Sequence, residues 1–235
     1  MRVVTTCHKA GFDQYGHRWI ESTQNWPNGT EFVFYTEGFD LKSVKSKRCE
    51  DLELLTKFKQ KYEHYKPSSY EWDIVRFSNK VFAAYDAFYH YDGIGVWLDA
   101  DCVRYEKIPD GYIESLLVHP AYMAMFKRTG LYTETGFWLM DCTHRHHKKF
   151  LDAWLSWFES GSFKTLGQWH DCTTLDASVR IFEKNSAIET ISLSGEFAKH
   201  THPMAKVELG KYIDHCKGPR KIEGISPENK HRATA

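Results

Sequence analysis

Two aspartates follow a short apolar segment in the middle of the chain, in the order Gly95-Val-Trp-Leu-Asp99-Ala-Asp101. Side chains two positions apart on an extended chain point the same way, so both carboxylates can face one point. In an open α/β sheet, ligands bind at the carboxyl ends of the strands, where this pair would lie. Carboxylate oxygens suit Mg²⁺ or Mn²⁺ whose coordination is completed by substrate phosphates. The pattern indicates a divalent-metal site at Asp99 and Asp101, and a solvated acidic turn is the alternative.

A second group of chemically useful residues lies near the C-terminus, where His215, Gly218 and Lys221 follow one another at intervals of three. Imidazole is a metal ligand, glycine lets the backbone approach a phosphate, and lysine supplies a positive charge for it. These residue types fit a metal-bound diphosphate, and a basic turn with an incidental histidine is the alternative. Taken with the aspartate pair, they favour one site for a metal-bound diphosphate.

A third candidate pair precedes the aspartates, on a segment with helical periodicity. Asp73 and Arg76 are three residues apart and are therefore neighbours on one helix face. A carboxylate and a guanidinium in this arrangement could grip the hydroxyl groups of a sugar or a ribose. The same spacing is also typical of a surface ion pair. For Lys80, one turn further along the helix, we favour that surface interpretation.

Alternating strands and helices would have to position these groups. The periodicity of apolar residues and the breaks at glycine and proline predict strands at 2–6, 31–36, 94–98, 121–127 and 135–140. Helices are predicted from the break at 9–11 to about 26, over most of 42–66, at 73–91 and at 144–158. The opening segments form a βαβ pattern, which implies parallel strands and a right-handed crossover. We therefore expect an α/β fold with a mixed, mostly parallel central sheet flanked by helices.

The overall composition argues against several classes of protein. The chain of 235 residues has 31 basic and 31 acidic residues, so it lacks the net charge that draws a protein to nucleic acid or an anionic membrane. Its six cysteines form no CxxC pair, and no segment is apolar for long enough to insert into a membrane. We expect a cytoplasmic protein with one catalytic domain at 1–222 and a polar, loosely ordered tail at 223–235.

The motifs at 73–76, 99–101 and 215–221 occur in an order that resembles the retaining GT-A glycosyltransferases, a group that includes glycosyltransferase family 8 and the DxD mannosyltransferase and clostridial-toxin-like families. This resemblance implies the GT-A fold, which is the Rossmann-like fold of nucleotide-diphospho-sugar transferases. It also implies Mn²⁺ or Mg²⁺ as the metal and a nucleotide-sugar as the donor. Family 8 continues its last motif with Pro-Trp, where this chain has Ile222 and Glu223.

The resemblance implies a role for each residue of these motifs, and it predicts that Asp101 and His215 converge on one metal ion. The implied roles are metal ligands for Asp99, Asp101 and His215, diphosphate contacts for Gly218 and Lys221, donor-sugar or ribose contacts for Asp73 and Arg76, and nucleotide contacts for Thr5, Thr6 and Cys7.

Two later segments, at 134–138 and 168–171, resemble the parts of such enzymes that line the sugar and acceptor side of the cleft. Asp171 is the candidate acidic residue there. It would orient the sugar if the reaction retains the anomeric configuration, and it would deprotonate the acceptor if the reaction inverts it. Lys221 and Arg76 would assist the metal by stabilising negative charge on the departing nucleoside diphosphate.

The expected function is transfer of a sugar from a nucleotide-sugar, with a UDP-linked donor and retention of configuration, to an acceptor hydroxyl. The acceptor could be a glycan, a protein or a hydroxymethylated DNA base of the kind found in phages, which is the one role for nucleic acid that the charge balance leaves open. A nucleotidyltransferase is one alternative, although the Gly-rich basic signature of that class is absent after the first strand. An inactive GT-A module that only binds a nucleotide is the other.

Overall fold

A computed structural model of the chain describes residues 1–232, and residues 233–235 of the expected tail lie outside the described residues. The strands in the described part are β1 (Arg2–His8), β2 (Glu31–Glu37), β3 (Ser46–Arg48), β4 (Ile94–Leu98), β5 (Cys102–Arg104), β6 (Met123–Phe126), β7 (Glu134–Asp141), β8 (Thr190–Ser192) and β9 (Ile213–His215). The α-helices in the same part are α1 (Lys9–Gly11), α2 (His17–Glu21), α3 (Glu53–Lys61), α4 (Ile74–Phe88), α5 (Tyr112–Ser115), α6 (His147–Ser160), α7 (Asp171–Lys184) and α8 (Arg220–Glu223).

Within residues 1–232, the larger sheet has seven strands in the order β3-β2-β1-β4-β7-β6-β8. β1 pairs in parallel with β2 on one side and with β4 on the other, and β2 pairs in parallel with β3. β7 is antiparallel to both β4 and β6, whereas β6 and β8 are parallel. The expected mixed, mostly parallel sheet is confirmed.

Helices cover both faces of this sheet, and alternate residues of its central strands point to opposite sides. Val4 and Trp97 belong to an apolar cluster shared with α3, α4, α6 and α7. Val3 and Val96 belong to a second cluster on the other face, shared with α2. Burial on both faces explains why β1 and β4 appear in the sequence as nearly continuous apolar runs.

A smaller sheet of two antiparallel strands, β5 and β9, joins the segment after β4 to the C-terminal region. Its register pairs Cys102 with His215 and Arg104 with Ile213. The segment that follows Asp99 and Asp101 is thereby held beside His215, which is far away in the sequence.

Two of the predicted helical segments differ from the structure. The helical region begins at Lys9 rather than after a break at 9–11, and the side chain of His8 accepts a hydrogen bond from the backbone N–H of Gly11. The segment 42–66 contains β3 as well as α3, because three residues of β3 pair with the distant strand β2. A strand of three residues is too short to show a periodicity of its own.

The residues on both sides of the expected domain boundary at 222 pack against the rest of the protein, as far as they are described. Helix α8 crosses position 222, and the side chains of Ser226 and Asn229 are fully buried. The backbone N–H of Ser226 donates to Asp214 Oδ2 at 2.6 Å. The division into a domain at 1–222 and a tail at 223–235 stays a prediction.

The described residues contain neither a disulfide bond nor a membrane-spanning helix. The six cysteines all lie in the described part of the chain, and none of them forms a disulfide. Among residues 1–232, no helix combines the length and the apolar character that crossing a bilayer requires.

Candidate functional site

Asp99 and Asp101 lie immediately beyond β4, at the carboxyl end of the parallel part of the sheet. The N–H of Asp99 donates to the carbonyl of Gly136 at 2.8 Å, and the N–H of Cys102 donates to the carbonyl of Asp99 at 2.8 Å. These two bonds fix a tight turn between β4 and β5. The side chain of Asp99 remains 29% exposed and that of Asp101 9% exposed.

His215 reaches the aspartates from the end of β9. Its Nε2 lies 3.2 Å from Asp101 Oδ1 and 3.8 Å from Asp99 Oδ2. The pairing of β5 with β9 produces this contact, because it places Cys102 opposite His215. The structure therefore brings the predicted pair of Asp101 and His215 together, and metal binding by them stays a prediction.

Two cationic side chains, those of His215 and Lys221, contact the carboxylate of Asp101. Lys221 Nζ lies 3.0 Å from Asp101 Oδ2, on the opposite side of the carboxylate from His215. Burial would raise the pKa of Asp101, but His215 and Lys221 hold it well below its usual range. Burial would lower the pKa of His215, but Asp101 raises it to about 9. Both groups are therefore charged at neutral pH in the metal-free protein.

Lys221 and Gly218 lie on the loop and short helix after β9. Lys221 Nζ sits 4.7 Å from the centroid of the Tyr15 ring, and this cation–π contact holds the ammonium group beside Asp101. Gly218 has φ of 58°, in the left-handed region that favours glycine. A Cβ at this position would meet no atom within 4 Å, so the surface beside Gly218 is open.

Lys80 does not form the surface ion pair that the sequence suggested. Its side chain is 8% exposed, and Nζ lies 2.9 Å from Asp99 Oδ1 and 3.0 Å from Asp171 Oδ2. It also donates to the carbonyl of Thr135 at 2.6 Å. Burial would lower its pKa, but Asp171 and Asp99 raise it above the ordinary lysine value. The ammonium group is therefore enclosed by Asp99, Asp171 and the carbonyl of Thr135.

Asp171 is the first residue of α7 and is almost fully buried. Thr135 Oγ1 donates to its Oδ2 at 2.6 Å, and Lys80 contacts the same oxygen. Burial would raise the pKa of Asp171, but Lys80 and Thr135 lower it. The structure thus links Asp171 to Asp99 through one shared lysine.

Asp73 and Arg76 occupy the start of α4 rather than forming a side-chain ion pair. Asp73 Oδ1 accepts a hydrogen bond from the backbone N–H of Arg76 at 3.1 Å and caps the helix. The side chain of Arg76 is exposed. The pKa of His8, at the end of β1, is lowered first by burial and next by the positive charge of Arg76. Arg76 therefore acts on the same edge of the sheet as the aspartates.

Thr5, Thr6 and Cys7 lie in β1, and two of them are closed to solvent. Thr5 and Cys7 are buried, and Thr5 Oγ1 has no hydrogen-bond partner among the described residues. Thr6 Oγ1 donates to Glu37 Oε1 at 2.8 Å. The next residue, His8, ends the strand and is exposed.

Glu134 is a site residue whose position the sequence did not reveal. It was expected on the sugar side of the cleft, yet its fully buried side chain contacts His215 Nδ1 at 2.8 Å and Lys217 Nζ at 3.0 Å. The missed residue Lys80 carried a signal, because it is the one lysine inside the largely apolar segment of α4. Glu134 carried none, because a glutamate that begins a strand is ordinary.

The described residues contain two groups with metal-ligand spacing. One is Asp101, Cys102 and His215, and the other is His170, Asp171 and Cys172. Burial raises the pKa of the Cys102 and Cys172 thiols well above the ordinary value, so both thiols carry their proton in the absence of a metal.

Besides the Cys102 thiol, the potential ligand atoms around His215 are carboxylate oxygens and the imidazole nitrogen. Asp99 Oδ2 and Asp101 Oδ1 both lie within 4 Å of His215 Nε2. Two carboxylates and one imidazole fit Mn²⁺ and Mg²⁺ better than a soft metal ion.

No protein-family model matches the chain, and no curated protein matches it. Solved structures do resemble it. A glycosyltransferase involved in glycosylation of the major capsid of PBCV-1 has 12% identity and a TM-score of 0.50, over 100% of this chain and 99% of that one. Mouse xyloside xylosyltransferase 1 has 10% identity and a TM-score of 0.50, over 82% and 84%. An active-site mutant of LgtC has 11% identity and a TM-score of 0.52, over 99% and 100%. With the sheet order described above, these likenesses show that the chain has the GT-A fold of glycosyltransferases.

Proposed function

We propose that this protein is a metal-dependent glycosyltransferase that moves a sugar from a UDP-linked donor to an acceptor hydroxyl. One observation carries the proposal: Asp99, Asp101, His215 and Lys221 come together at the carboxyl edge of a GT-A sheet. Two carboxylates and an imidazole can hold a divalent cation, and the adjacent lysine can hold a phosphate. A glycan, a protein or a hydroxymethylated DNA base could supply the acceptor hydroxyl.

In this proposal Asp99, Asp101 and His215 hold Mn²⁺ or Mg²⁺. The cation would stabilise the negative charge that develops on the diphosphate as the bond to the sugar breaks. Lys221 would exchange its contact with Asp101 for a contact with the diphosphate, and the open backbone at Gly218 would let a phosphate oxygen approach. Arg76 is exposed at the same edge and could add a further positive charge.

Lys80 and Asp171 would form the donor-sugar end of the site. Lys80 and the Trp97 indole both donate to Asp99 Oδ1, at 2.9 Å and 2.6 Å, which leaves Asp99 Oδ2 directed toward His215. Asp171 has a lowered pKa and is paired with a lysine, whereas a general base works best with a pKa near the operating pH. This weak basicity favours a role in orienting the sugar and hence a retaining reaction.

The nucleotide would bind where β1 ends. The burial of Thr5 and Cys7 restricts the proposed nucleotide contacts there to backbone groups and to Thr6. Asp73 holds the first turn of α4, so its proposed role is to place Arg76 beside the ribose or the sugar. We also propose that 1–222 forms the catalytic unit.

A screen of nucleotide-sugars tests this function directly. We expect release of nucleoside diphosphate from a UDP-sugar in the presence of Mn²⁺, and a fall to the background rate when a chelator removes the metal, because the leaving diphosphate loses its counter-charge. The measurement is a coupled assay for free nucleoside diphosphate. If no nucleotide-sugar reacts, and no nucleoside diphosphate with Mn²⁺ raises the unfolding temperature, the proposal is wrong.

The affinity for Mn²⁺ should also depend on pH. In the metal-free protein, Asp101 raises the pKa of His215 to about 9, so a metal must displace one proton below that pH. Lowering the pH makes this displacement harder, and the affinity should fall about tenfold for each pH unit between 8.5 and 6.5. Titration calorimetry at three pH values, in two buffers of different ionisation enthalpy, measures the affinity and the released proton. An affinity that does not change over this range contradicts ligation by His215.

A further inference from the structure

A buried carboxylate lies behind the imidazole of His215, on the side away from the aspartates. Glu134 begins β7, and its side chain has no exposed surface. Its Oε1 lies 2.8 Å from His215 Nδ1. β7 and β9 belong to different sheets, so this contact between side chains connects the edge of the large sheet to the small one.

The contact determines which nitrogen of His215 is available to a ligand. When Nδ1 carries the proton that is donated to Glu134, the lone pair of the neutral ring is on Nε2. That atom is the one that lies 3.2 Å from Asp101 Oδ1. A carboxylate that accepts a hydrogen bond from the second nitrogen of a metal-binding histidine fixes both the tautomer and the ring orientation.

The same face of β7 supplies the space for the ring. Gly136 is two residues after Glu134, so the two positions point to the same side of the strand. A Cβ on Gly136 would lie 2.1 Å from atoms of the His215 ring, which no side chain can accommodate without moving the imidazole. β7 therefore provides both a hydrogen-bond acceptor and a slot for this one side chain.

Lys217 completes the arrangement around Glu134. Its Nζ lies 3.0 Å from Glu134 Oε1, which balances the negative charge of a carboxylate that has no exposed surface. The other oxygen, Oε2, has no hydrogen-bond partner among the described residues. The histidine and the lysine thus account for the polar contacts of the Glu134 side chain within residues 1–232.

We propose that Glu134 and Gly136 are positioning residues that hold the His215 imidazole with Nε2 directed at the metal. The inference rests on the proposed metal site and adds to it the two residues of β7 that orient its nitrogen ligand. If Glu134 and Gly136 were replaced, Asp99 and Asp101 would still be present as ligands. The His215 ring, however, would be free to rotate or to take the other tautomer.

The test is the affinity for Mn²⁺, measured from the electron paramagnetic resonance signal of the free ion as the protein is titrated. Glu134→Ala should weaken binding about ten- to hundredfold, the usual effect of removing such a partner. Glu134→Gln keeps a carbonyl acceptor and should recover most of that loss. Gly136→Ala should displace the ring and weaken binding as much as His215→Ala does. Glu183→Ala, which removes a carboxylate paired with Lys127, is the control and should leave the affinity unchanged.

A double mutant separates positioning from general stability. In a His215→Ala background, Glu134→Ala should cause no further loss of Mn²⁺ affinity, because the side chain that it orients is gone. Additive losses would overturn the proposal, as would an affinity of the Glu134→Ala protein within twofold of the parent. If Glu134→Ala does not fold, the Gly136→Ala protein decides the question by the same measurement.

A separate variant tests the metal site on which the inference depends. Asp101→Asn should lose most of the Mn²⁺ affinity. If it does and the Glu134→Ala and Gly136→Ala proteins bind as the parent does, only the positioning role is wrong. If Asp101→Asn binds Mn²⁺ as tightly as the parent does, the proposed metal site itself is wrong, and the positioning role is overturned with it.

Discussion

Replacement of Asp101 by asparagine is expected to lower the rate of metal-dependent sugar transfer by about 10³-fold. The change keeps an oxygen atom at the site but removes the negative charge that lies 3.2 Å from His215 Nε2 and 3.0 Å from Lys221 Nζ. Loss of a charged ligand weakens the cation that neutralises the departing diphosphate. A loss of roughly 4 kcal/mol of transition-state stabilisation corresponds to that factor. Steady-state kcat/KM at saturating Mn²⁺ is the measurement.

The control for this change is Asp92→Asn, which removes an exposed carboxylate just before the other end of β4. Its rate should stay within twofold of the parent rate. Urea unfolding of the Asp101→Asn protein checks that the lower rate does not arise from a loss of folded protein. A rate within tenfold of the parent, in a folded protein, would contradict a metal-binding role for Asp101.

Replacement of Lys80 by methionine should reduce the free energy of unfolding by about 3–5 kcal/mol. The side chain lies between Asp99 and Asp171, at 2.9 Å and 3.0 Å, and it is nearly enclosed. Methionine fills a similar volume but leaves both carboxylates without their counter-charge. A surface ion pair would contribute less than about 1 kcal/mol, so urea unfolding distinguishes the two interpretations of Lys80.

The chain offers a matched control and a compensating change for this variant. Lys57→Met removes an exposed lysine paired with Glu53 on α3 and should change the free energy of unfolding by less than about 0.5 kcal/mol. Adding Asp171→Asn to Lys80→Met removes one of the two stranded charges and should restore part of the stability. A destabilisation by Lys80→Met as small as that by Lys57→Met would show that the buried ion pairs are weak.

The two predictions concern neighbouring parts of one arrangement of alternating charges across the cleft. One row runs Lys217, Glu134, His215, Asp101 and Lys221, and the other runs Asp171, Lys80 and Asp99. The 3.8 Å approach of His215 Nε2 to Asp99 Oδ2 joins the rows. Each charge is held by groups of opposite sign, so under the proposed function the ligand atoms would be oriented before a cation or a diphosphate binds. Such preorganisation favours binding of a charged transition state.

Local patterns in the sequence were enough to predict the central part of the fold. The strand at 94–98 was correct at both ends, and the helix predicted at 73–91 corresponds to α4. A continuous apolar run and a helical period are properties of neighbouring residues, so tertiary contacts are not needed to recognise them. The placement of two carboxylates at the end of a strand follows from the same local reading. The residue types and the family resemblance predicted that Asp101 and His215 converge on one metal ion. The structure brings the two side chains together, and the metal stays a prediction.

The surroundings of those residues depended on contacts between distant parts of the chain. β5 and β9 are three residues each and are defined only by their pairing with one another. Lys80 was predicted on the surface because helical spacing shows which residues share a face but not what covers that face. Glu134 meets His215 only because the large and small sheets are joined at this edge.

The sequence by itself thus determined the α/β pattern and the chemical types of the proposed ligands, since both follow from residue identity and short-range periodicity. The tertiary structure alone decided which charges are buried and which nitrogen of His215 faces the aspartates. Burial and hydrogen-bond geometry depend on atoms contributed by strands and helices that are far apart in the sequence, and no local pattern records them.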